Sequence, residues 1–321
     1  MRIIYLVILV TLPTLLWCQA YQEIDDRSKS IKYTNDYKAV AKELASPYDT
    51  QEHMARAIFT WIVYNIEYDH RQLNNVQPGE RFKVEFKSKE EHEKFMQNRI
   101  PTKIETALKR RKGVCQDFAW LYQAMLAEVG IECEFVSGYG RTDPNELGRI
   151  PKIPSHAWNA AKIDGEWALF DLTWSTSISE IEEDGFFMFS ATEFLKTHFP
   201  SEEKWQLLEE PINIEEWSKM IFWYKIYTKY KVKSLTVNNE PYEHMQIPYK
   251  SELKLSLVLS PDEALYAVKN QGEKRVKMTK TGDEYSLNIA DSKFRGRTTI
   301  CVVNGNKVFP LLEFKIEQKS R

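Results

Sequence analysis

Cys115, His156 and Asp171 have residue types and surroundings suited to covalent amide chemistry. A thiol attacks a carbonyl as its thiolate, and a free thiol of pKa near 8.5 is only about 3% ionised at pH 7. Making it mostly thiolate takes about 2 kcal/mol. A helix N-terminus supplies roughly 0.3–1 kcal/mol, so a cationic partner is needed and histidine is the natural one. Cys115 stands at the mouth of a predicted helix, in RRKGVCQDFAWLYQAML.

A hairpin offers the histidine. Strand-like segments at 155–163 and 166–173 are joined by Asp164-Gly165, a strong two-residue turn signal. That loop sets Trp158 opposite Asp171 and His156 opposite Thr173, so His156 and Asp171 become diagonal neighbours on one face, about 7–8 Å apart at the backbone. Asp171 can then accept the imidazole N–H while the other nitrogen faces a helix laid across the sheet. The three residues, in chain order, make a Cys-His-Asp constellation of the kind that performs nucleophilic acyl transfer. A lone cysteine on an apolar helix face is more often core, and what favours chemistry here is the agreement of GVC, SHAWN and FDLTW in order.

Other candidates carry two readings each. Trp158 and Trp174 flank the polar residues, and they either pack in the core or screen the site and touch substrate. Gln116 and Asp117 follow the thiol; they cap the helix, or Gln116 serves as an oxyanion donor. Cys133, on a strand with Ile131 and Phe135, and Cys301, in TTICVVNG, read as buried hydrophobes. His198, in HFP, reads as a packing anchor. With no CxxC and no HExxH, neither a metal nor a cofactor is expected.

The elements that must position these residues follow from periodicity and caps. Helices are expected over 36–45, after the Asp49/Glu52 capping-box spacing with Met54, Ala57, Ile58, Trp61, Ile62 and Asn65 on one stripe, and from Cys115 until Gly130 stops it, with Cys115, Phe118, Tyr122, Met125, Leu126 and Val129 on one face. Residues 70–101 read as an exposed insertion with one helix near 88–98 ending at Ile100-Pro101. From about 225 onward, short strands with turns at Asn238-Asn239, Thr281-Gly282 and Asn304-Gly305 indicate an all-β sandwich. Trp205, Trp217, Phe222, Trp223 and Tyr224 lie in the connection.

The chain has 321 residues and a formal net charge of -2. Its interleaved charges give no basic stripe for nucleic acid. Residues 3–17 are an apolar run broken by Pro13, shorter than the about 20 residues a membrane helix needs, and Cys18-Gln19-Ala20 has the small residues of a signal-peptidase site. The expectation is a signal peptide at 1–20, cleaved after Ala20, and an exported protein, periplasmic or extracellular; an uncleaved membrane anchor and lipidation at Cys18 are the alternatives, the latter disfavoured by the bulk of Trp17. The three remaining cysteines leave at least one free thiol.

GVCQDFAWLYQAMLAEVGIECEFVSGY and SHAWNAAKIDGEWALFDLTW resemble the core of the transglutaminase-like superfamily. RAIFTWIVYNIEYD and FMFSATEFLKTHFPSEEKWQLL resemble, more narrowly, the branch holding the kyphoscoliosis peptidases and a yeast cytokinesis regulator. The resemblance covers roughly residues 50–210. It implies a papain-like core, placed at 21–224, with the cysteine helix on an antiparallel sheet; with the strand-and-turn pattern after it, read as an immunoglobulin-like β-sandwich at 225–321, the fold class is α+β. The resemblance also implies Cys115 as nucleophile, His156 as base and Asp171 as its orienter, acting on a protein or peptide substrate. Hydrolysis, crosslinking by a lysine acceptor and an inert scaffold that has kept the shell all fit the sequence.

Overall fold

The computed structural model of the chain describes residues 12–71, 88–176, 185–269 and 274–317. It divides into two compact units, residues 1–135 with 161–167, and residues 136–160 with 168–321. Among the described residues no helix is long and apolar enough to cross a membrane.

The first unit is built on helices α1 (Leu12–Ser30), α2 (Tyr37–Ala45), α3 (Gln51–Asn65), α4 (Lys89–Arg110) and α5 (Cys115–Ala127). Asp36 caps α2 through the Ala39 N–H, as its place in the sequence suggests. The cap of α3 is Thr50, one residue later than the Asp49/Glu52 spacing predicts, because its hydroxyl accepts the His53 N–H. From Ala55 to Ile62 this helix is buried all round rather than along one stripe. Burial of Arg56 there requires a partner: Asp25 of α1 accepts its Nε and Nη2 at 2.8 and 2.6 Å.

Helix α4 does not end at Ile100-Pro101 but runs through Pro101 to Arg110. Proline removes one backbone donor, yet Ile104, Ala107 and Leu108 beyond it are buried, and Arg111 closes the helix in a left-handed cap at φ 50°. Two short strands, β1 (Glu67–Tyr68) and β2 (Lys112–Gly113), pair in parallel directly before α5. Of the expected inward face of α5, Phe118, Tyr122, Met125 and Leu126 are buried, while Cys115 and Val129 at the two ends of that face are half-buried; Trp120 stacks on Phe135, and Gln123 donates to the Cys133 carbonyl at 2.7 Å.

A four-stranded sheet, ordered β5-β4-β3-β6, comprises β3 (Cys133–Gly140), β4 (His156–Ile163), β5 (Glu166–Phe170) and β6 (His198–Pro200). Asp164 and Gly165 between β4 and β5 both have positive φ, 51° and 94°, the signature of a tight two-residue hairpin turn. The second strand stops at Phe170, short of the expected 173. Asp171 ends it by accepting the Trp174 N–H, which winds the chain into the short helix α6 (Leu172–Thr176). Gly138 faces Pro200 across β3 and β6. A side chain there would overlap the Phe199 carbonyl oxygen and the Trp158 ring, so Gly138→Ala is expected to lower unfolding free energy by about 2 kcal/mol, read from the urea midpoint.

In the second unit two further sheets follow. The first is ordered β10-β17-β16-β12-β13: β10 (Gln246–Ile247), β12 (Glu263–Lys269), β13 (Lys274–Lys277), β16 (Gly296–Asn304) and β17 (Lys307–Ile316). The second is β14-β15-β11-β8-β9: β8 (Ser234–Val237), β9 (Glu240–Pro241), β11 (Glu252–Ser256), β14 (Thr279–Thr281) and β15 (Glu284–Asn288). Leu253 and Leu255 of one sheet are buried at alternate positions, whereas Ile300, Cys301 and Val302 of the other are buried in succession across a register shift between Ile300 and Cys301. The chain passes between the sheets at Met278. The aromatic connection is tied in by β7 (Phe222–Trp223), which pairs with β17, and by Arg141, whose buried guanidinium lies 4.1 Å over Trp217 and donates to the Met220 and Ile221 carbonyls at 3.2 Å.

Candidate active site

His156 opens β4, and Asp171 stands one residue past the end of β5, the neighbouring strand. The His156 Nε2 lies 2.7 Å from Asp171 Oδ2, so the sequence-predicted pair meets through its side chains. Asp171 is fully buried and its polar atoms are engaged. Oδ1 accepts the Trp174 N–H at 3.0 Å, the backbone N–H donates to Phe186, and the carbonyl accepts the Ser175 hydroxyl at 2.8 Å.

A second imidazole reaches the same carboxylate oxygen. His198, the first residue of β6, has its Nε2 3.0 Å from Asp171 Oδ2 and its Nδ1 2.9 Å from the Thr197 hydroxyl. Reading HFP as a packing anchor catches half of this: His198 stacks on Phe194 with ring centroids 4.0 Å apart, and it is also bonded to the aspartate. No spacing in the sequence could have shown it, because β6 reaches the site through β3 rather than through the hairpin. Its partner across β3 is Gly140, where a side chain would crowd His156 and Trp174 at 3.1–3.3 Å.

Protonation follows from these contacts. Burial pushes the Asp171 carboxyl up, but the two imidazoles outweigh it, His156 more than His198, and the group is held well below the usual carboxylate range. Burial lowers His198 to about 4 against the opposing pull of Asp171, so its ring is neutral at pH 7. A neutral ring facing a carboxylate must place its proton on Nε2. Its Nδ1 is therefore an acceptor, and the Thr197 hydroxyl donates to it. Lys225 lies 4.1 Å over the Trp174 ring, its pKa lowered by burial while Asp171 opposes the shift.

Trp158 and Trp174 are both buried, with ring centroids 5.9 and 5.5 Å from that of His156. They form apolar walls around the imidazoles. Cys115 and Gln116 belong to the other unit, as the first two residues of α5. Cys115 is half-buried, a free thiol, and Gln116 is exposed. The cap of that helix falls to Asp117, whose Oδ2 accepts the Val114 N–H at 2.9 Å and whose pKa is raised by burial. Gly113 allows this approach, since a Cβ there would sit 2.8 Å from that of Asp117. The other cysteines are buried free thiols, and burial drives Cys301 up to about 11.

Among the described residues one group, His156, Asp171 and His198, holds its possible ligand atoms within 4.8 Å of one another. A tetrahedral ion about 2.0–2.1 Å from each ligand would need those atoms about 3.3 Å apart, with their lone pairs turned to it. Here both Nε2 atoms are instead within hydrogen-bond reach of the same oxygen, at 2.7 and 3.0 Å, so a proton occupies each gap.

Residues 38–172 match the transglutaminase-like superfamily. The kyphoscoliosis peptidase of Mus musculus is 24% identical over 211 residues, covering 63% of this chain and 29% of that protein. The Homo sapiens kyphoscoliosis peptidase is also 24% identical, over 213 residues, with 64% and 29% covered. The chain thus spans about 29% of the length of these relatives. A crystal structure of a TGase aligns over 59% of this chain and 39% of that one, at 12% identity and a TM-score of 0.29. Residues 38–172 of this chain are thus similar to the transglutaminase-like superfamily, and the chain is similar in sequence to the kyphoscoliosis peptidases.

Proposed function

We propose that the chain is an exported cysteine enzyme that cleaves amide bonds of a protein or peptide, with Cys115 as nucleophile, His156 as base and Asp171 as its orienter. The observation that carries this reading is the fully buried, ionised Asp171 bonded to His156 Nε2. A buried charge of that kind is costly unless it has a task, and here it fixes the imidazole tautomer with its proton on Nε2. Nδ1 is then the nitrogen that takes the thiol proton.

In the first step the Cys115 thiolate adds to the carbonyl, and the developing oxyanion is held by the Cys115 amide, one of the donors that a helix start leaves without an intrahelical acceptor. Exposed Gln116 is a further candidate donor. Collapse breaks the C–N bond as imidazolium His156 gives its proton to the leaving amine, leaving a thioester on Cys115. Water, deprotonated by His156, then releases the acid and restores the thiol. Hydrolysis is favoured over lysine transfer because water is always present and the curated relatives are named peptidases. The two β-sheets after residue 225 support an immunoglobulin-like sandwich as the accessory domain. Export fits removal of residues 1–20, since the part of α1 left behind holds Asp25, which pairs with buried Arg56.

Iodoacetamide labelling of Cys115 at pH 7 tests the pair. The rate is expected to fall about tenfold or more in His156→Ala, with Cys115→Ser as the blank. An unchanged rate would point to an inert shell acting as a scaffold. Mass spectrometry of reacted peptides separates cleavage from isopeptide formation.

A further inference from the structure

We infer that His198 is a positioning residue for the His156–Asp171 pair: by donating to the carboxylate oxygen that His156 also uses, it fixes the aspartate and moderates how tightly His156 holds its proton. The inference deepens the proposed function and rests on it for its catalytic meaning. Its geometric part stands on the second unit alone.

The two imidazoles converge on one atom, Asp171 Oδ2, at 2.7 and 3.0 Å, while the other oxygen accepts the Trp174 N–H at 3.0 Å. A carboxylate oxygen shared between two donors offers each a weaker acceptor than one serving a single donor. His156 is therefore less basic than it would be with an undivided aspartate. For a base that must lose its proton in each turnover, a midpoint near the operating pH is the useful setting.

His198 is built to hold this role without titrating. It is fully buried between Phe194, Trp174, Phe186 and Trp158, with ring centroids 4.0, 4.3, 5.4 and 5.2 Å away. Asp171 fixes its tautomer, and the Thr197 hydroxyl donates to the Nδ1 that this leaves bare. Among the described residues, the charged and titratable groups acting on the pair in this unit include His198 on β6, which donates to Oδ2, and Lys225, which lies over the Trp174 ring. A packing role alone would be served as well by phenylalanine among those rings, and it would not demand a hydrogen bond to the aspartate.

The test follows the His156 imidazole by NMR in the full chain carrying Cys115→Ser, so that the readout needs no activity. In His198→Phe the midpoint of the His156 titration is expected to rise by about one pH unit, a tenfold change in its protonation equilibrium. In His198→Gln, whose amide can donate from nearly the position of Nε2, the midpoint stays within about 0.3 unit of the parent. Far-UV dichroism confirms that each variant is folded, and the Gln variant keeps the comparison open where Phe does not fold: Gln and Leu replacing each other then supply the donor contrast. An unmoved His156 midpoint in a folded variant without a donor would overturn the inference. A midpoint that moves while Cys115 of the parent labels as an ordinary thiol would uphold the positioning of the pair and remove the proposed enzyme.

Discussion

Asp171→Asn is expected to lower turnover about 10⁴-fold, with the loss in kcat rather than KM. An aspartate accepts on both oxygens. Its amide counterpart must turn an NH₂ either toward the two imidazoles or toward the Trp174 N–H. In the first case both rings face a donor, and His156 must move its proton to Nδ1, the atom that has to be empty to receive the thiol proton. In the second the imidazoles keep an acceptor, but a neutral one that no longer stabilises the imidazolium, and α6 loses the bond that starts it. Breaking one side of a buried charged network costs about 3–5 kcal/mol, so unfolding in urea should show a drop of that order. Kinetics are therefore to be measured where the variant remains folded. A variant with parental kcat would remove Asp171 from the mechanism.

The second large effect is a dependence of stability on pH that His198 imposes. Its folded pKa, about 4, lies below the value near 6.5 expected when unfolded. Between these values the unfolded chain binds the proton and the folded chain does not, so stability falls as pH falls. The contribution is complete above about pH 6.5 and is lost progressively toward pH 4. Lowering the pH from 7 to 4.5 is expected to remove about 2–3 kcal/mol through this one ring. Asp171, also depressed, adds a further loss at still lower pH in the same direction. Many carboxylates titrate in the same range, so the measurement is the difference between parent and His198→Gln in urea unfolding at the two pH values. The variant should lose about 2–3 kcal/mol less on acidification, and equal losses would mean that His198 is charged in the folded state.

The pairing of His156 with Asp171 was legible because a hairpin is a local object. Asp164-Gly165 fixes a two-residue turn, the turn fixes the register, and the register brings residues 156 and 171 within side-chain reach. Yet the argument reached Asp171 by way of a strand that ends before it, since the competing preference of an aspartate to cap a helix takes over at that residue. The cysteine helix was legible for the same local reasons: a glycine and a capping carboxylate at its start, an apolar face along it, and Gly130 in a left-handed conformation after it. Pro101 misled because tertiary burial of Ile104 and Leu108 outweighs a missing hydrogen bond. His198 was invisible in its role because it depends on a strand three residues long added at the sheet edge.

The parallel pairing of Glu67–Tyr68 with Lys112–Gly113 carries an evolutionary consequence. Between Tyr68 and Lys112, two stations held side by side, the chain makes an excursion that stays within the first unit and includes α4, whose Ile104, Ala107 and Leu108 are buried. Doubling its length would raise the closure cost by only about 0.6 kcal/mol, and the strain would end at the paired strands. Descendants of this gene can therefore lengthen or trim the stretch ahead of α4 while Cys115 stays where it is.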